Sequence, residues 1–319
     1  MRYIGFNCTD FMGMGSTGHT REQDFAAMRR LGFNFLRVPL NYRLWRRSNG
    51  TLDEQFLVRL DAALEAAWDE GLHLSLALHR APGYSVSKEG AEPGNLWIEP
   101  ERRARFVEEL LFLADRYGHV PGTELSLNLV NEPPPVHAGF TADTYAGLIL
   151  HCFSALRDAG FAGDIIADGL NYGRDLVPGL IRTGVRQGCR GYEPFFIANQ
   201  GSPWRDEARS WPVRTSVGEE FGKFWLADHY RSWIDLARAD KSLLCGEAGC
   251  PSVVPQDQAL AWFKDFVTLL GPSLWGLALW QFRGPQGLVD STRPDAQLVN
   301  CPAGKLDARL LELMLASVE

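Results

Sequence analysis

The sequence predicts a single-domain α/β protein, a (β/α)8 barrel. Three observations lead there. A chain of 319 residues is long for two average domains but ordinary for one barrel of this kind. Eight short, largely apolar runs alternate with segments of helical periodicity, as parallel strands covered on both faces should. No repeat, low-complexity tract or linker interrupts that alternation across residues 1–319.

In chain order, the strand candidates are 3–7, 33–38, 72–78, 125–130, 164–167, 191–197, 243–246 and 274–280. Between the first two, Thr20-x-x-Gln23 reads as a capping box and Gly32 as the stop of a helix. Leu57, Leu60, Leu64 and Trp68 form one apolar helical face, ended by Gly71. Phe106, Leu110, Leu113 and Tyr117 form the next, and Tyr145, Ile149, Cys152 and Leu156 the one after, with Gly160 beyond it. The sixth and seventh units are less regular, because 199–219 is a long connection rich in Pro, Trp, Ser and Arg.

Composition narrows the function. A net charge of -7 argues against nucleic acid or an anionic membrane as partner. No apolar run approaches the roughly 20 residues of a membrane span, and Met1-Arg-Tyr-Ile-Gly-Phe-Asn7 is no signal peptide. The expected location is therefore cytoplasmic for the chain as written, or secreted if it has been trimmed. Six cysteines show neither CxxC pairing nor His partners at zinc spacing, so free and mostly buried thiols are expected. Ten tryptophans exceed the usual need of such a core, and sugar-binding clefts often account for an excess of that kind.

Two glutamates carry the chemistry. Glu132 follows Leu127-Asn-Leu-Val-Asn131 and precedes Pro133-Pro134-Pro135; Glu247 follows Leu243-Leu-Cys-Gly246. A carboxylate at the C-terminal end of a barrel strand is where such folds display catalytic groups. Two carboxylates from strands distant in sequence are what glycoside hydrolysis requires.

Five motifs then carry a resemblance: Phe35-Leu-Arg37-Val38-Pro39, His79-Arg-Ala-Pro-Gly83, Leu129-Val-Asn131-Glu132-Pro133, Gly246-Glu247-Ala-Gly249 and Trp275-Gly-Leu-Ala-Leu-Trp280. In this order and at strand ends, they make the chain resemble glycoside hydrolase family 5, the cellulase family of retaining β-glycosidases, over essentially its whole length. The resemblance implies that Glu132 is the general acid/base and Glu247 the nucleophile. Retention then implies carboxyl groups about 5–5.5 Å apart, against roughly 6.5–9.5 Å for inversion. It implies further that Arg37 holds Glu247 ionised and that His79 and Asn131 contact sugar hydroxyls. Tyr192 would bond the nucleophile, and Trp280 would lie under the sugar, with a cis peptide to Gln281. Asp10, Gln200, Trp204 and Arg283 are lesser candidates for the cleft lining.

The pattern breaks in places. Arg190 stands where the family usually has His, either as a second cation near the site or pointing away from it. Ala248 replaces a bulky aromatic, and His229 is expected on the outer face of a helix. The resulting expectation is a retaining β-glycosidase on β-glucosides or β-1,4-glucan oligosaccharides, with β-mannosidase or mannanase as runner-up. A non-catalytic carbohydrate-binding barrel is the alternative from another class, against which both carboxylates stand. No cofactor and no metal are called for; the expected partner is an oligo- or polysaccharide, and the expected state a monomer or small homo-oligomer.

Overall fold

A computed structural model describes residues 1–13, 20–87, 90–198, 210–214, 218–240 and 243–316. Eight parallel strands with helices between them close into a (β/α)8 barrel. The strands are β1 (Tyr3–Asn7), β2 (Phe35–Asn41), β3 (His73–Ala81), β4 (Leu125–Asn128), β5 (Asp164–Asp168), β6 (Arg186–Gly191), β7 (Leu243–Ala248) and β8 (Leu274–Leu279). Seven of them overlap the runs expected from the sequence. The sixth shares only Gly191 with its expected run: 192–197 is not a strand, and Phe195–Ala198 is a short helical turn.

By internal contacts the chain divides into two compact units. The central unit comprises Thr9–Ser16 and Leu36–Cys189; the flanking unit comprises Met1–Cys8, Thr17–Phe35 and Arg190–Glu319. The boundary therefore falls inside β2 and inside β6.

In the central unit β3, β4, β5 and β6 run side by side, with Leu74 opposite Leu125, Leu127 opposite Ile165 and Ile166 opposite Arg186. Their helices are α1 (Glu54–Asp69), α2 (Pro100–Arg116) and α3 (Ala142–Asp158). Each forms for legible reasons. Asp53 caps the first by accepting from the Phe56 N–H, and Leu57, Leu60 and Leu64 are buried as their spacing demands. Pro100 opens the second at a position where its missing N–H costs nothing. Thr141 and Thr144 exchange side-chain and backbone bonds to open the third. Between β5 and β6 there is no long helix, only short turns at Leu170–Gly173 and Pro178–Leu180.

In the flanking unit β1 pairs β8 in register, Tyr3 opposite Gly276 and Phe6 opposite Leu279, and β8 pairs β7 with two register shifts. Gly5 is required there: a Cβ would run into the Phe35 carbonyl. Phe6 meets Phe33 and Phe282 edge-on at 4.7 and 5.1 Å, filling the space that Gly5 leaves thin. All six cysteines are free, five of them buried. Burial pushes the Cys152 and Cys250 thiols up to about 12, which keeps both protonated and inert.

Candidate active site

Glu132 leaves the end of β4 with a left-handed backbone, φ 50°, a conformation that costs a side-chain-bearing residue roughly 1–2 kcal/mol. Neighbours hold it there. Its N–H donates to Asp168 Oδ2 at 3.0 Å, and its carbonyl accepts a short hydrogen bond from the Tyr84 hydroxyl. Asp168 is itself fully buried at the end of β5, and its other oxygen accepts from Asn128 Nδ2 at 3.2 Å. Its carbonyl takes the Tyr145 hydroxyl at 2.8 Å. Burial first, then the charges of Glu132, Tyr172 and Asp168, raise the Tyr84 pKa, so its phenol remains a donor at any working pH. Beyond Glu132, the N–H groups of Asn171 and Tyr172 donate to the carbonyls of Pro134 and Pro133 at 3.3 and 2.9 Å. Asn171 and Tyr172 are left-handed too, at φ 54° and 61°. Three of the five such non-glycine residues among those described are thus spent on the turn that carries Glu132.

Beside this turn Arg37, fully buried on β2, donates from Nε and Nη2 to Asn128 Oδ1 at 3.1 and 3.0 Å, and from Nη2 to Asn131 Oδ1 at 2.7 Å. The last bond fixes which end of the Asn131 amide is oxygen. Asn131 also donates its backbone N–H to the Leu78 carbonyl at 3.0 Å, tying it to the strand that carries His79, itself 8% exposed. Asp10 sits half-buried in the turn Thr9–Phe11 that follows β1.

The flanking unit carries Glu247, buried on β7. Its Oε2 accepts from the Tyr192 hydroxyl at 3.2 Å, and its Oε1 lies 3.6 Å from Arg190 Nη2. A guanidinium and a phenol donor together stabilise negative charge on this carboxylate. Gly191 makes that possible, because a Cβ there would stand 2.6 Å from Ala248 Cβ and 2.8 Å from Phe266 Cζ. Close approach of the bare backbone lets Arg190 and Tyr192, on either side, reach Glu247. Arg190 therefore points toward this carboxylate rather than away from it.

Trp280 is half-exposed at the end of β8, its N–H donating to the Ala248 carbonyl at 2.8 Å. Its bond to Gln281 is trans. The cis peptides among the described residues are Glu193–Pro194 and Trp211–Pro212, where proline removes most of the cost that a Trp280–Gln281 bond would bear. Arg283 is likewise not a free cleft residue. Its guanidinium holds Asp24 with two bonds, at 3.1 and 2.6 Å, and reaches the Ala303 carbonyl at 2.7 Å and the Asp290 carboxylate. His229 is half-buried at the end of the helix Lys223–His229, stacked 5.0 Å from Trp225. Gln200 and Trp204 lie outside the described residues. Among the described residues no group of three or more His, Cys, Asp or Glu is arranged to hold a metal ion, and no helix is long and apolar enough to cross a membrane.

Sequence reasoning missed Asp168, Asn128 and Tyr84. The signal for Asp168 was present in Asp164-Ile-Ile-Ala-Asp168, an apolar run closed by a carboxylate as in the two runs that were recognised.

The (β/α)8 barrel thus carries one strand-end glutamate in a strained, braced turn and one ion-paired on its strand. Residues 3–181 match the family model described as cellulase, glycosyl hydrolase family 5. The chain is 25% identical over 297 residues to "Endoglucanase C" of Acetivibrio thermocellus, with 82% of this chain and 83% of that protein covered. A crystal structure described as "a glycoside hydrolase" superposes with TM-score 0.91 at 31% identity, covering 99% of each chain. The endoglucanase Cel5A of Thermotoga maritima superposes with TM-score 0.76 at 19% identity, over 98% of this chain and 96% of that one. The chain belongs to glycoside hydrolase family 5 and is a glycoside hydrolase.

Proposed function

We propose that this chain is a retaining β-glycosidase acting on β-glucosides or β-1,4-glucan oligosaccharides by double displacement, with Glu132 as acid/base and Glu247 as nucleophile. The observation that carries the assignment is the contrast between the two glutamates. Glu247 has a cation 3.6 Å from one oxygen and a hydroxyl 3.2 Å from the other, a setting for an ionised nucleophile. Glu132 is half-buried, and its backbone N–H and carbonyl are held by Asp168 and Tyr84, which positions the residue.

In the first step a Glu247 oxygen attacks C1 of the sugar, the glycosidic C–O bond breaks, and Glu132 gives its proton to the departing oxygen. In the second, Glu132 takes a proton from water, whose oxygen attacks C1 and releases Glu247 as carboxylate. Arg37 orients the Asn131 amide for the sugar 2-hydroxyl, a contact that strengthens in the transition state. In this scheme His79 donates to sugar hydroxyls and Trp280 lies under the ring. The glucan preference leans on the relatives' names: besides the endoglucanase, a "Cellodextrinase A" of Ruminococcus flavefaciens is 25% identical over 255 residues.

The test is azide rescue of Glu132→Ala and Glu247→Ala on an aryl β-glycoside. Each variant should lose about 10²–10⁴-fold or more in rate. Azide should then give the α-glycosyl azide for Glu247→Ala and the β-glycosyl azide for Glu132→Ala. Full activity in both variants sinks the assignment. A panel of aryl β-glucoside, β-mannoside, β-xyloside and β-cellobioside decides between glucan and the mannoside alternative.

A further inference from the structure

Strand β6 ends at Arg190 and Gly191, with Tyr192 directly after it, and its packing sets Arg190 beside Glu247. The two side chains are 3% and 5% exposed, with Nη2 and Oε1 at 3.6 Å. The Arg190 carbonyl is held from behind by the Tyr230 hydroxyl at 2.7 Å. The Gly249 N–H donates to the Gly191 carbonyl at 3.3 Å, so the segments carrying the two charges are bonded to each other beside the pair. A separation of 3.6 Å is an ion pair rather than a hydrogen bond, and a guanidinium keeps its charge at every working pH.

The charge on Glu247 changes twice in a double displacement. It is lost when the carboxylate oxygen forms its bond to C1, and it returns when that bond breaks and the electron pair goes back to the carboxylate. A fixed buried cation beside it opposes the first change and favours the second. From this asymmetry we infer that Arg190 is a positioning residue that makes Glu247 a better leaving group, shortening the life of the glycosyl ester rather than speeding its formation. The inference rests on Glu247 being the nucleophile, as proposed above.

The experiment compares wild type with Arg190→Gln and Arg190→Lys on 2,4-dinitrophenyl β-glucoside, whose leaving group departs without protonation. Stopped-flow absorbance follows the first turnover, and quenched intact mass follows the covalent adduct. In Arg190→Gln, kcat and KM should fall together by about 10- to 100-fold, the low end of couplings between close charge pairs. The ratio kcat/KM should hold within about threefold, a burst of dinitrophenol should appear, and the adduct should accumulate. Arg190→Lys should restore most of kcat. A fall in kcat/KM as large as that in kcat, with no burst, overturns the inference, and so does an unchanged kcat. Should the Gln variant fail to fold by near-UV circular dichroism, Arg190→Lys decides: its shorter side chain holds the cation farther from Glu247 and must still leave kcat/KM less affected than kcat. The underlying reading fails separately, if wild type forms no covalent adduct with a 2-deoxy-2-fluoro-β-glucosyl donor.

Discussion

At the residue scale, Asp168 offers a test of the role proposed for Glu132, whose N–H it accepts. Its carboxylate fits because β6 offers Gly188 opposite it, where a Cβ would collide with Asp168 Oδ1. Gly188→Ala should therefore displace the carboxylate that anchors the Glu132 N–H. Overpacking of this kind costs about 1–3 kcal/mol, read as a lower denaturant midpoint. If Glu132 is the proton donor as proposed, the kinetic signature should be selective: hydrolysis of unactivated glycosides should fall about tenfold or more, while 2,4-dinitrophenyl glycosides lose little. Equal loss on both substrates would mean that Asp168 does not act through Glu132. None of this was legible in a lone glycine of the sequence, whereas Glu132 and Glu247 were, because each closes an apolar run.

At the element scale, the missed strand is instructive. Arg186-Gln-Gly-Cys-Arg-Gly191 has no apolar run because its residues are chosen for what they touch. Gln187 is buried yet satisfied, exchanging bonds of 2.9 and 3.1 Å with the Val177 backbone. Gly188 makes room for Asp168, and Gly191 lets Arg190 and Tyr192 approach Glu247. The apolar Phe195-Phe-Ile197 that drew the expectation forms a turn instead. Periodicity reads burial by apolar contact; it is blind to burial by hydrogen bonding. Arg283 belongs to the same lesson, since it fastens the segment after β8 to Asp24 in the helix Glu22–Arg30. Asp24 is 0% exposed, so Arg283→Ala should strand a buried charge and cost about 3–5 kcal/mol in urea unfolding. The folded fraction should keep its KM. A raised KM at unchanged stability would return Arg283 to the cleft.

At the scale of the whole molecule, the two units are nested in sequence. The central unit is nearly one stretch, Leu36–Cys189, while the flanking unit is assembled from Met1–Cys8, Thr17–Phe35 and Arg190–Glu319. No single cut in the chain separates them, and β2 and β6 each have residues in both. The chain is accordingly expected to unfold as one domain, with calorimetric and van't Hoff enthalpies in agreement; two resolved transitions would contradict this. Nesting also imposes an order on biosynthesis. A ribosome has joined every residue of the central unit, Glu132 and its braces included, before Arg190 is added. Tyr3–Asn7 must wait for Leu274–Leu279 to complete its ladder, and that strand follows Glu247 in the chain. On the proposed roles, the proton donor is thus housed before the nucleophile, so a nascent chain stays chemically silent until Glu247 and the strand after it have been made.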